Sequence, residues 1–346
     1  MEIVSIGDEK DSNKFSDSKI TIADVAEALG ISKTTVSRAI SGKGRIGEET
    51  RNRVLQYIEE NNYRQSPLAK GLTESKTYNI CWAMPGDSSM TSLPFFLRSM
   101  AGISDVASSE NYDILLALVY NDNISHLKRI VENRKVDGVI LGRTLENDPN
   151  IAYLKECGIP FVVIGSTTEK GVIQIDNDHI KACIELTSIL AMKGSKKMAL
   201  IGGSLGHIVN QTRKKGFEEG LKNVGIDSDK DNVFVNCETD DDVERAVDEI
   251  LRNKMDCIVC MDDGICNSVL AKLHKDNIII PQDIKIASFY NSPILDSAQP
   301  AITSLQYDPR ELGAVSCRTL FRYINGEDVE EKVMLGYEVL LKGSTQ

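Results

Sequence analysis

The chain has 346 residues, of which 41% are hydrophobic and 26% are charged, a balance typical of a globular protein with enough apolar mass for real cores. At roughly 150 residues per domain, the length predicts two or three domains. No apolar run approaches the roughly 20 residues of a membrane helix. The acidic N-terminus also lacks the basic start and apolar stretch of a secretory signal, so we expect a cytoplasmic protein with no membrane partner. The net charge of −11 argues against a nucleic-acid partner if the chain is treated as one block.

The charge, however, changes sign along the chain. Residues 1–18 have a net charge of −3 and are expected to form a disordered acidic arm. Residues 19–76 hold ten Lys and Arg against seven Asp and Glu, which gives +3, and the remaining residues carry −11. A basic block inside an acidic protein is the footprint of a phosphate-binding element, although a solvated helix surface has the same composition.

The basic block begins with the pattern of a helix-turn-helix unit, which we place at residues 19–65. Thr21 and Asp24 have the spacing of a capping box, and Gly30 is suited to end the first helix in the left-handed conformation. Ser32 can cap a second helix after a turn that is too short for anything but a tight helix-turn-helix. A third helix is expected from residue 48 to residue 61. The apolar residues at helical spacing predict a small shared core: Val25, Leu29, Val36, Ile40, Val54 and Ile58.

The second helix presents a basic, hydroxyl-rich face that contains no acidic residue. Its exposed side chains are expected to be Lys33, Thr34, Thr35, Ser37 and Arg38. Such side chains donate hydrogen bonds to phosphates and base edges, and a helix N-terminus adds its own attraction for phosphate. A plain structural hairpin is the alternative, but this face favours a DNA-binding helix.

The same residues resemble the headpiece of the lactose-repressor (LacI) family of bacterial transcription regulators. The resemblance rests on residues 21–41 and continues in residues 48–54 and 62–64. It implies contacts to base edges from Lys33, Thr34 and Arg38. It implies contacts to the DNA backbone from Thr21, Ser32, Thr35, Ser37, Arg45 and Tyr63.

Residues 66–76 are similar to the hinge helix of that family. The resemblance implies that Leu72 wedges into the minor groove at the operator centre, and that Ala69 and Lys70 face the groove. Such a wedge costs a few kcal/mol of unstacking, which the contacts to a bent duplex offset. Gly71 departs from the family pattern and costs about 1 kcal/mol inside a helix, so the hinge is expected to order only on DNA. A polar linker is the alternative for this segment.

From residue 77 onward, apolar runs typical of buried parallel strands alternate with amphipathic stretches of helical length. Eight such runs exceed one ordinary doubly wound sheet, so two sheets are expected, with the loop-rich residues 166–176 as the first crossover. The predicted strands are 78–84, 112–119, 137–141, 160–164, 197–201, 232–235, 256–261 and 284–289.

The resemblance to the LacI family extends over this body. It implies two flavodoxin-like lobes joined by three crossing strands, similar to periplasmic sugar-binding proteins. Lobe 1 is expected at about 77–175 and 307–325, and lobe 2 at about 176–306 and 326–346. The expected fold is therefore an N-terminal all-α helix-turn-helix headpiece plus an α/β periplasmic-binding-protein-like sensor body of two doubly wound parallel-sheet lobes.

Ligands of open parallel sheets bind beyond the carboxyl ends of the strands, which here would converge on the cleft between the lobes. Arg213 matches the family's effector-clamping arginine, whose guanidinium can hold two hydroxyls or a carboxylate. Met261, Asp262 and Tyr290 follow strands and are the other expected effector contacts. Met261 stands where the family usually has asparagine and Tyr290 where it has aspartate, so polar groups are lost and an aromatic ring is gained. The expected effector is a sugar or a phosphosugar.

The sequence thus predicts a homodimeric, DNA-binding transcriptional regulator, and more narrowly an effector-responsive repressor of a carbohydrate or small-metabolite operon. It would bind a palindromic operator and is expected to be no enzyme and to use no cofactor or metal. The rival hypothesis is a small-molecule carrier or a hydrolase built on the α/β body, with a vestigial headpiece.

Two motifs bear on the rival hypothesis. Residues 202–206 have the Gly-x-Ser-x-Gly pattern of a hydrolase elbow, but only His207 and His274 follow them, and His274 lies in an amphipathic helix. Cys257 and Cys260 form a Cys-x-x-Cys pair inside a predicted strand, where they point to opposite faces and cannot share a metal.

Overall fold

The computed structural model describes residues 20–42, 44–61, 63, 76–86, 93–120, 123–226 and 232–346. The chain divides into two compact units, the headpiece at Met1–Lys76 and the body at Thr77–Gln346. The predicted arm at 1–18 lies outside the described residues, and so do Ala69, Lys70 and Leu72 of the predicted hinge.

Three short helices form the described part of the headpiece: α1 (Ile22–Leu29), α2 (Lys33–Ser41) and α3 (Glu48–Glu60). The capping box of α1 is present, because the backbone N–H of Thr21 donates to Oδ2 of Asp24 at 2.7 Å and the N–H of Asp24 donates to Oγ1 of Thr21 at 3.4 Å. Gly30 ends α1 with a φ of 64°. Ser32 caps α2, since its Oγ accepts the N–H of Thr35 at 3.1 Å. The predicted caps and the tight turn are confirmed.

The predicted core lies where the three helices meet. Val25, Val36 and Val54 are fully buried, one from each helix. A buried valine stabilises a fold by about 1.5–3 kcal/mol relative to an exposed one, so these three residues fix how the helices pack. The other predicted core residues are half-buried at its edge: Leu29, Ile40 and Ile58.

The body alternates strands and helices along almost its whole length. In chain order its elements are β1 (Asn79–Pro85), α4 (Leu93–Ser109), β2 (Asp113–Val119), α5 (Ser125–Glu132), β3 (Gly138–Leu141), α6 (Pro149–Cys157), β4 (Phe161–Ile164), β5 (Ile173–Asn177), α7 (His179–Met192), β6 (Met198–Ile201), α8 (Ile208–Asn223), β7 (Val233–Phe234), α9 (Asp240–Arg252), β8 (Cys257–Cys260), α10 (Asp263–Lys275), β9 (Lys285–Ser288), α11 (Pro293–Ser297), β10 (Thr303–Gln306), α12 (Pro309–Ile324), β11 (Lys332–Leu335) and β12 (Glu338–Leu340). All eight predicted strands are present, with each end within one residue of its predicted position.

The strands form two sheets of six. The sheet of lobe 1 has the order β11-β5-β4-β3-β1-β2, and its pairings are parallel. The sheet of lobe 2 has the order β12-β10-β9-β8-β6-β7 and is parallel except for β12, which runs antiparallel to β10.

Each sheet is covered on both faces because alternate side chains of a strand enter separate cores. In β1, Ile80 and Trp82 pack into the core on one side of the sheet. Cys81 and Ala83 pack into the core on the other side. The strands of lobe 2 divide in the same way between two further cores. This double burial explains why the strands are almost continuously apolar in the sequence.

The chain crosses between the lobes three times: from β5 to α7, from β10 to α12, and from β11 to β12. Two details of the predicted lobes are wrong. Residues 166–176 contain most of β5, so the first crossing follows them and is not formed by them. Residues 332–335, expected in lobe 2, pair with β5 in lobe 1. A strand of four residues has no local pattern that shows which sheet it joins. Residues 332–335 pair with β5 although the two segments are far apart in the sequence, because β5 offers them a free edge of the lobe 1 sheet.

Helices α4 and α12 approach each other closely because two glycines face the partner backbone. A Cβ atom on Gly102 would overlap the carbonyl oxygen of Arg310, and one on Gly313 would overlap the carbonyl oxygen of Ser99. The contact is completed at its exposed edge by Arg310, whose Nε donates to Oδ2 of Asp105 at 3.0 Å. Both helices contribute residues to one core of lobe 1, so this contact sets the shape of that lobe.

We expect Gly313→Ala to destabilise the body by about 1–3 kcal/mol or more, because the added methyl group forces α4 and α12 apart. Urea unfolding followed by circular dichroism should show a lower midpoint for the body. Gly336→Ala is the matched control, since nothing lies within 4 Å of a Cβ added there. An unchanged midpoint for Gly313→Ala would show that the two helices are not in close contact.

Candidate DNA-reading helix and effector cleft

Helix α2 begins with a hydrogen-bonded cap, and the first turn that follows is exposed to solvent. The Oγ of Ser32 accepts the N–H of Thr35 and also lies 2.8 Å from Oγ1 of Thr35. Lys33 and Thr34 are exposed in the first turn. The first N–H groups of a helix lack intrahelical acceptors and carry partial positive charge. This end of α2 is therefore suited to bind a phosphate group.

Three basic side chains extend this positive surface: Lys33, Arg38 and Arg45. All three are exposed, and none forms an ion pair with a carboxylate of the described headpiece residues. Arg38 lies along the backbone of Gly44, where a Cβ atom would come within 3.3 Å of its Cδ. The close approach brings the segment that contains Arg45 beside α2.

The remaining predicted DNA contacts differ in exposure. Thr21 and Ser32 are exposed, and Thr35 and Ser37 are half-buried. Tyr63 is only 8% exposed and packs in the headpiece core, and burial raises the pKa of its hydroxyl. Its ring thus stabilises the headpiece, and little of its surface is left for a contact with DNA. The assignment of all these residues to the DNA backbone stays a prediction.

In the body, a cleft of about 100 Å³ lies between the two lobes. Lobe 1 supplies Phe95 and Arg98 from α4. Lobe 2 supplies Asp263 from the start of α10 and Tyr290 from the end of β9. The other residues that line the cleft are Pro94, Asn291, Ser292, Pro293, Asp296 and Gln306. As expected, the cleft lies beyond the carboxyl ends of strands.

Of the four predicted effector residues, only Tyr290 lines this cleft directly. Met261 is fully buried and does not reach it. Asp262 caps α10, because its Oδ1 accepts a backbone N–H from the first turn at 2.9 Å. The cleft is lined by two other carboxylates, those of Asp263 and Asp296, and the sequence did not predict either of them. Two adjacent acids at a helix start cannot both cap it, so the pair itself was the available signal.

Arg213, the fourth predicted residue, lies behind the cleft on α8. It is 7% exposed, and its Nε has no hydrogen-bond partner among the described residues. A buried donor without an acceptor is costly, so the site has an unused capacity to hold a hydrogen-bond acceptor. The charge of Arg213 acts on the neighbouring Asp263 and Tyr290, where it opposes the effect of burial on the pKa of each group.

Burial dominates the electrostatics on this side of the cleft. It raises the pKa of Asp263 above the usual range of a carboxyl group, and it raises the pKa of Tyr290 to about 12. On the opposite side, Lys342 donates to Oδ1 of Asp296 at 2.6 Å and holds the pKa of that carboxyl low. Asp296 is thus paired within the protein, whereas Asp263 is buried without a cation bonded to it.

The amide pair at the cleft floor is also paired within the protein. Nδ2 of Asn291 donates to Oε1 of Gln306 at 2.8 Å, and Oδ1 of Asn291 accepts from the Oγ of Ser304 at 2.9 Å. These bonds fix the loop after β9 against β10. The same loop holds Tyr290, so its backbone is held in place.

Other motifs in the sequence show no reactive arrangement. Cys257 and Cys260 are free and fully buried, and burial raises the pKa of Cys257 to about 12. Such thiols are inert. Within the described ranges no three His, Cys, Asp or Glu side chains are placed to hold a metal ion. None of the helices described is long and apolar enough to cross a membrane.

Comparison with known proteins gives two family matches. Residues 21–66 match the model of bacterial regulatory proteins of the lacI family, and residues 187–345 match that of a periplasmic binding protein-like domain. The HTH-type transcriptional regulator MalR of Streptococcus pneumoniae is 30% identical over 326 residues, covering 88% of this chain and 93% of the relative. Catabolite control protein A of Staphylococcus xylosus is 28% identical over 333 residues, covering 94% and 99%.

A solved structure extends the likeness to three dimensions. The crystal structure of a probable maltose operon transcriptional repressor from Staphylococcus aureus matches with a TM-score of 0.73 and 26% identity, over 78% of this chain and 99% of that one. The predicted architecture, a helix-turn-helix headpiece followed by a two-lobed sensor body, is thereby confirmed. The chain belongs to the lacI family of bacterial regulatory proteins and is a DNA-binding transcriptional regulator.

Proposed function

We propose that this regulator is an effector-responsive repressor that binds a near-palindromic operator as a homodimer in the cytoplasm. The observation that carries the proposal is the exposed face of α2, whose basic side chains form no ion pair with a carboxylate of the described residues, although the charge of Lys33 acts on Asp24. Leaving positive charge unpaired on a chain with a net charge of −11 serves an anionic partner. The name of the Staphylococcus aureus relative, a maltose operon repressor, supports a carbohydrate operon as the target.

The two DNA-binding elements have different tasks. In the major groove, Lys33, Thr34 and Arg38 read base edges, and the N-terminus of α2 holds a backbone phosphate. Two headpieces read half-sites one helical turn apart. The hinge at 66–76 orders on this DNA and places Leu72 in the minor groove, where the wedge bends the duplex.

The cleft between the lobes is the effector site of this proposal. Phe95 and Tyr290 line the cleft with aromatic rings, Arg98 offers hydrogen-bond donors, and the carboxylate of Asp263 offers acceptors to hydroxyl groups. This combination suits a sugar or a phosphosugar. An effector that binds one arrangement of the lobes better than another shifts the regulator between them, and it changes operator affinity by the size of that preference.

Arg38→Ala is expected to weaken operator binding by about 1–3 kcal/mol, because a specific base contact is lost. The operator is first selected from random duplexes with the wild-type protein, and affinity is then measured by gel shift at fixed salt. Arg252→Ala removes the same charge from an exposed position on α9 of the body and is the matched control. Wild-type affinity of Arg38→Ala would refute the assignment of α2 as the reading helix.

Asp263→Asn is expected to stabilise the body at neutral pH. The folded state raises the pKa of Asp263, so its ionised form costs stability at high pH, and this cost disappears as the pH falls through the folded pKa. The variant should therefore gain thermal stability at pH 8 and lose that gain towards pH 4.

Asp296→Asn is the control for this experiment and should have the opposite sign. The pKa of Asp296 is lowered by its hydrogen bond with Lys342, so its ionised form contributes stability above the usual carboxyl pKa. If Asp263→Asn destabilises the body at pH 8, the fold favours the charged carboxylate of Asp263. That result would contradict the proposal that this carboxylate is available to bind a ligand.

The dimer is proposed to use the open edge of the lobe 1 sheet. Strand β2 is the edge strand, and its Leu116 is 50% exposed. Leu97 on the neighbouring helix α4 is 46% exposed. An exposed apolar edge strand is an aggregation hazard unless another surface covers it. A second copy of the chain is the occupant that a near-palindromic operator requires.

Leu116→Glu is expected to raise the dimer dissociation constant at least tenfold, about 1.4 kcal/mol, because a charge would be buried in the interface. Sedimentation velocity over a concentration series measures it. Met192→Glu, at a more exposed position on α7, is the control. If both variants sediment as the wild type does, the β2 edge is not the dimer interface.

A further inference from the structure

Five aromatic rings form a continuous column that connects the lobes. Phe96 and Phe95 of α4 meet at a centroid distance of 5.2 Å, and Phe95 meets Tyr290 edge to face at 6.0 Å. Tyr290 stacks on Tyr307 at 6.3 Å with an interplanar angle of 13°, and Tyr307 meets His179 at 4.8 Å. All these distances fall in the roughly 4.5–7 Å range of favourable ring pairs. The column therefore connects lobe 1, the loop after β9 and two of the three crossings.

The contact between Phe95 and Tyr290 joins the lobes at the cleft, because the two rings come from different lobes and both line it. The lobes also touch at a second place. The N–H of Glu146 donates to the carbonyl of Gly206 at 3.0 Å, and the N–H of Ile208 donates to the carbonyl of Thr144 at 3.3 Å. The lobes are thus held together by contacts of the protein itself.

The space that remains is small for a ligand. The cleft measures about 100 Å³, whereas small-molecule pockets are typically about 300–1,000 Å³. The Tyr290 ring takes up room in the cleft where the resemblance to the LacI family expects the shorter side chain of an aspartate.

Two buried polar groups near this ring are without hydrogen-bond partners among the described residues. They are Nε of Arg213 and the hydroxyl of Tyr307, which is 3% exposed. The charge of Arg213 acts on both Tyr307 and Tyr290, so the groups are neighbours. A stacked ring buries such groups but offers them no hydrogen bond. Neither residue lines the cleft while the ring is in place, and the hydroxyl groups of a ligand in the place of the ring would supply the hydrogen bonds that both groups lack.

We propose that Tyr290 is a specificity-determining residue that occupies the effector position, so that the effector binds only by displacing the Tyr290 ring from its contacts with Phe95 and Tyr307. The ring acts as a built-in competitor: it lowers the affinity for every effector and excludes those that cannot drive it out. The inference rests on the proposed effector site in the cleft. It goes beyond that site because it gives Tyr290 a negative effect on effector affinity. A ring on which the effector stacks would raise that affinity.

The test compares wild type, Tyr290→Ala and Phe95→Ala by isothermal titration with glucose, maltose, cellobiose and glucose 6-phosphate. If the effector has to displace the ring, Tyr290→Ala should bind one or more of these sugars at least tenfold more tightly than the wild type does. Phe95→Ala should change affinity in the same direction, since it frees the ring from lobe 1. Tyr323→Ala removes an exposed tyrosine of α12 and is the control. Weaker or equal binding by Tyr290→Ala overturns the proposal.

A second measurement needs no effector. Hydrogen–deuterium exchange of the full chain should be faster in peptides from residues 93–98 when Tyr290 is changed to Ala, and protected as in the wild type when it is changed to Phe, which keeps the ring. Unchanged exchange in Tyr290→Ala overturns the interlobe contact. If no sugar binds any variant but exchange is faster as described, the carbohydrate effector is refuted while the interlobe contact of Tyr290 is supported.

Discussion

The common direction of the strands decides where every functional side chain of the body lies. Because neighbouring strands run parallel, their carboxyl ends meet at one edge of each sheet, and the segments that follow them meet there too. Helix α4 follows β1, helix α10 follows β8, and Tyr290 follows β9. Three crossings of the chain hold these edges opposite each other, so that α4 of lobe 1 faces the loops of lobe 2. The cleft is therefore a consequence of topology, and the residues that line it decide only what it accepts.

A second constraint acts on charge. In the described part of the headpiece, Lys33, Arg38 and Arg45 form no ion pair, although the charge of Lys33 acts on Asp24. The body pairs many of its charges internally, as in the ion pairs of Lys272 with Asp248 and Asp276. The body, which carries the −11, is repelled by the duplex. This repulsion disfavours contacts between the body and DNA. This separation favours the specific complex, because non-specific binding depends mainly on the total positive charge that reaches the phosphates.

The sequence predicted best what is decided locally. The capping box at Thr21, the left-handed cap at Gly30 and the continuous apolar strands are each specified by a few neighbouring residues, and all are present. It predicted less well what is decided by distant partners. The residues of strand β11 have no pattern that assigns them to lobe 1. Their place in that lobe comes from pairing with the free edge of β5. The burial of Tyr63 likewise depends on the packing of three helices together.

The candidate site shows the same limit at the level of single side chains. The sequence directed attention to Asp262, but the cap of α10 uses that carboxylate and leaves Asp263 in the cleft. Which of two adjacent acids accepts from the first N–H groups of a helix depends on the direction of that helix. The sequence alone does not give this direction. Arg213 could be recognised from its match to the family, yet its unpaired Nε is visible only where the neighbours are known.

The state of the cleft sets how strongly an effector can control the regulator. An effector shifts the lobes only by the difference between its affinities for the two arrangements. In this chain the closed arrangement already has its own contacts, the rings of Phe95 and Tyr290 and the backbone bonds of Glu146 and Ile208. On the proposal for Tyr290, an effector that keeps the backbone bonds but displaces the ring would gain hydrogen bonds to Arg213 and Tyr307 and lose two aromatic pairs, those of Tyr290 with Phe95 and with Tyr307. If the proposal for Tyr290 holds, the coupling to DNA depends on whether the displaced ring leaves the lobes as close as before, because the lobe arrangement is what an effector can shift.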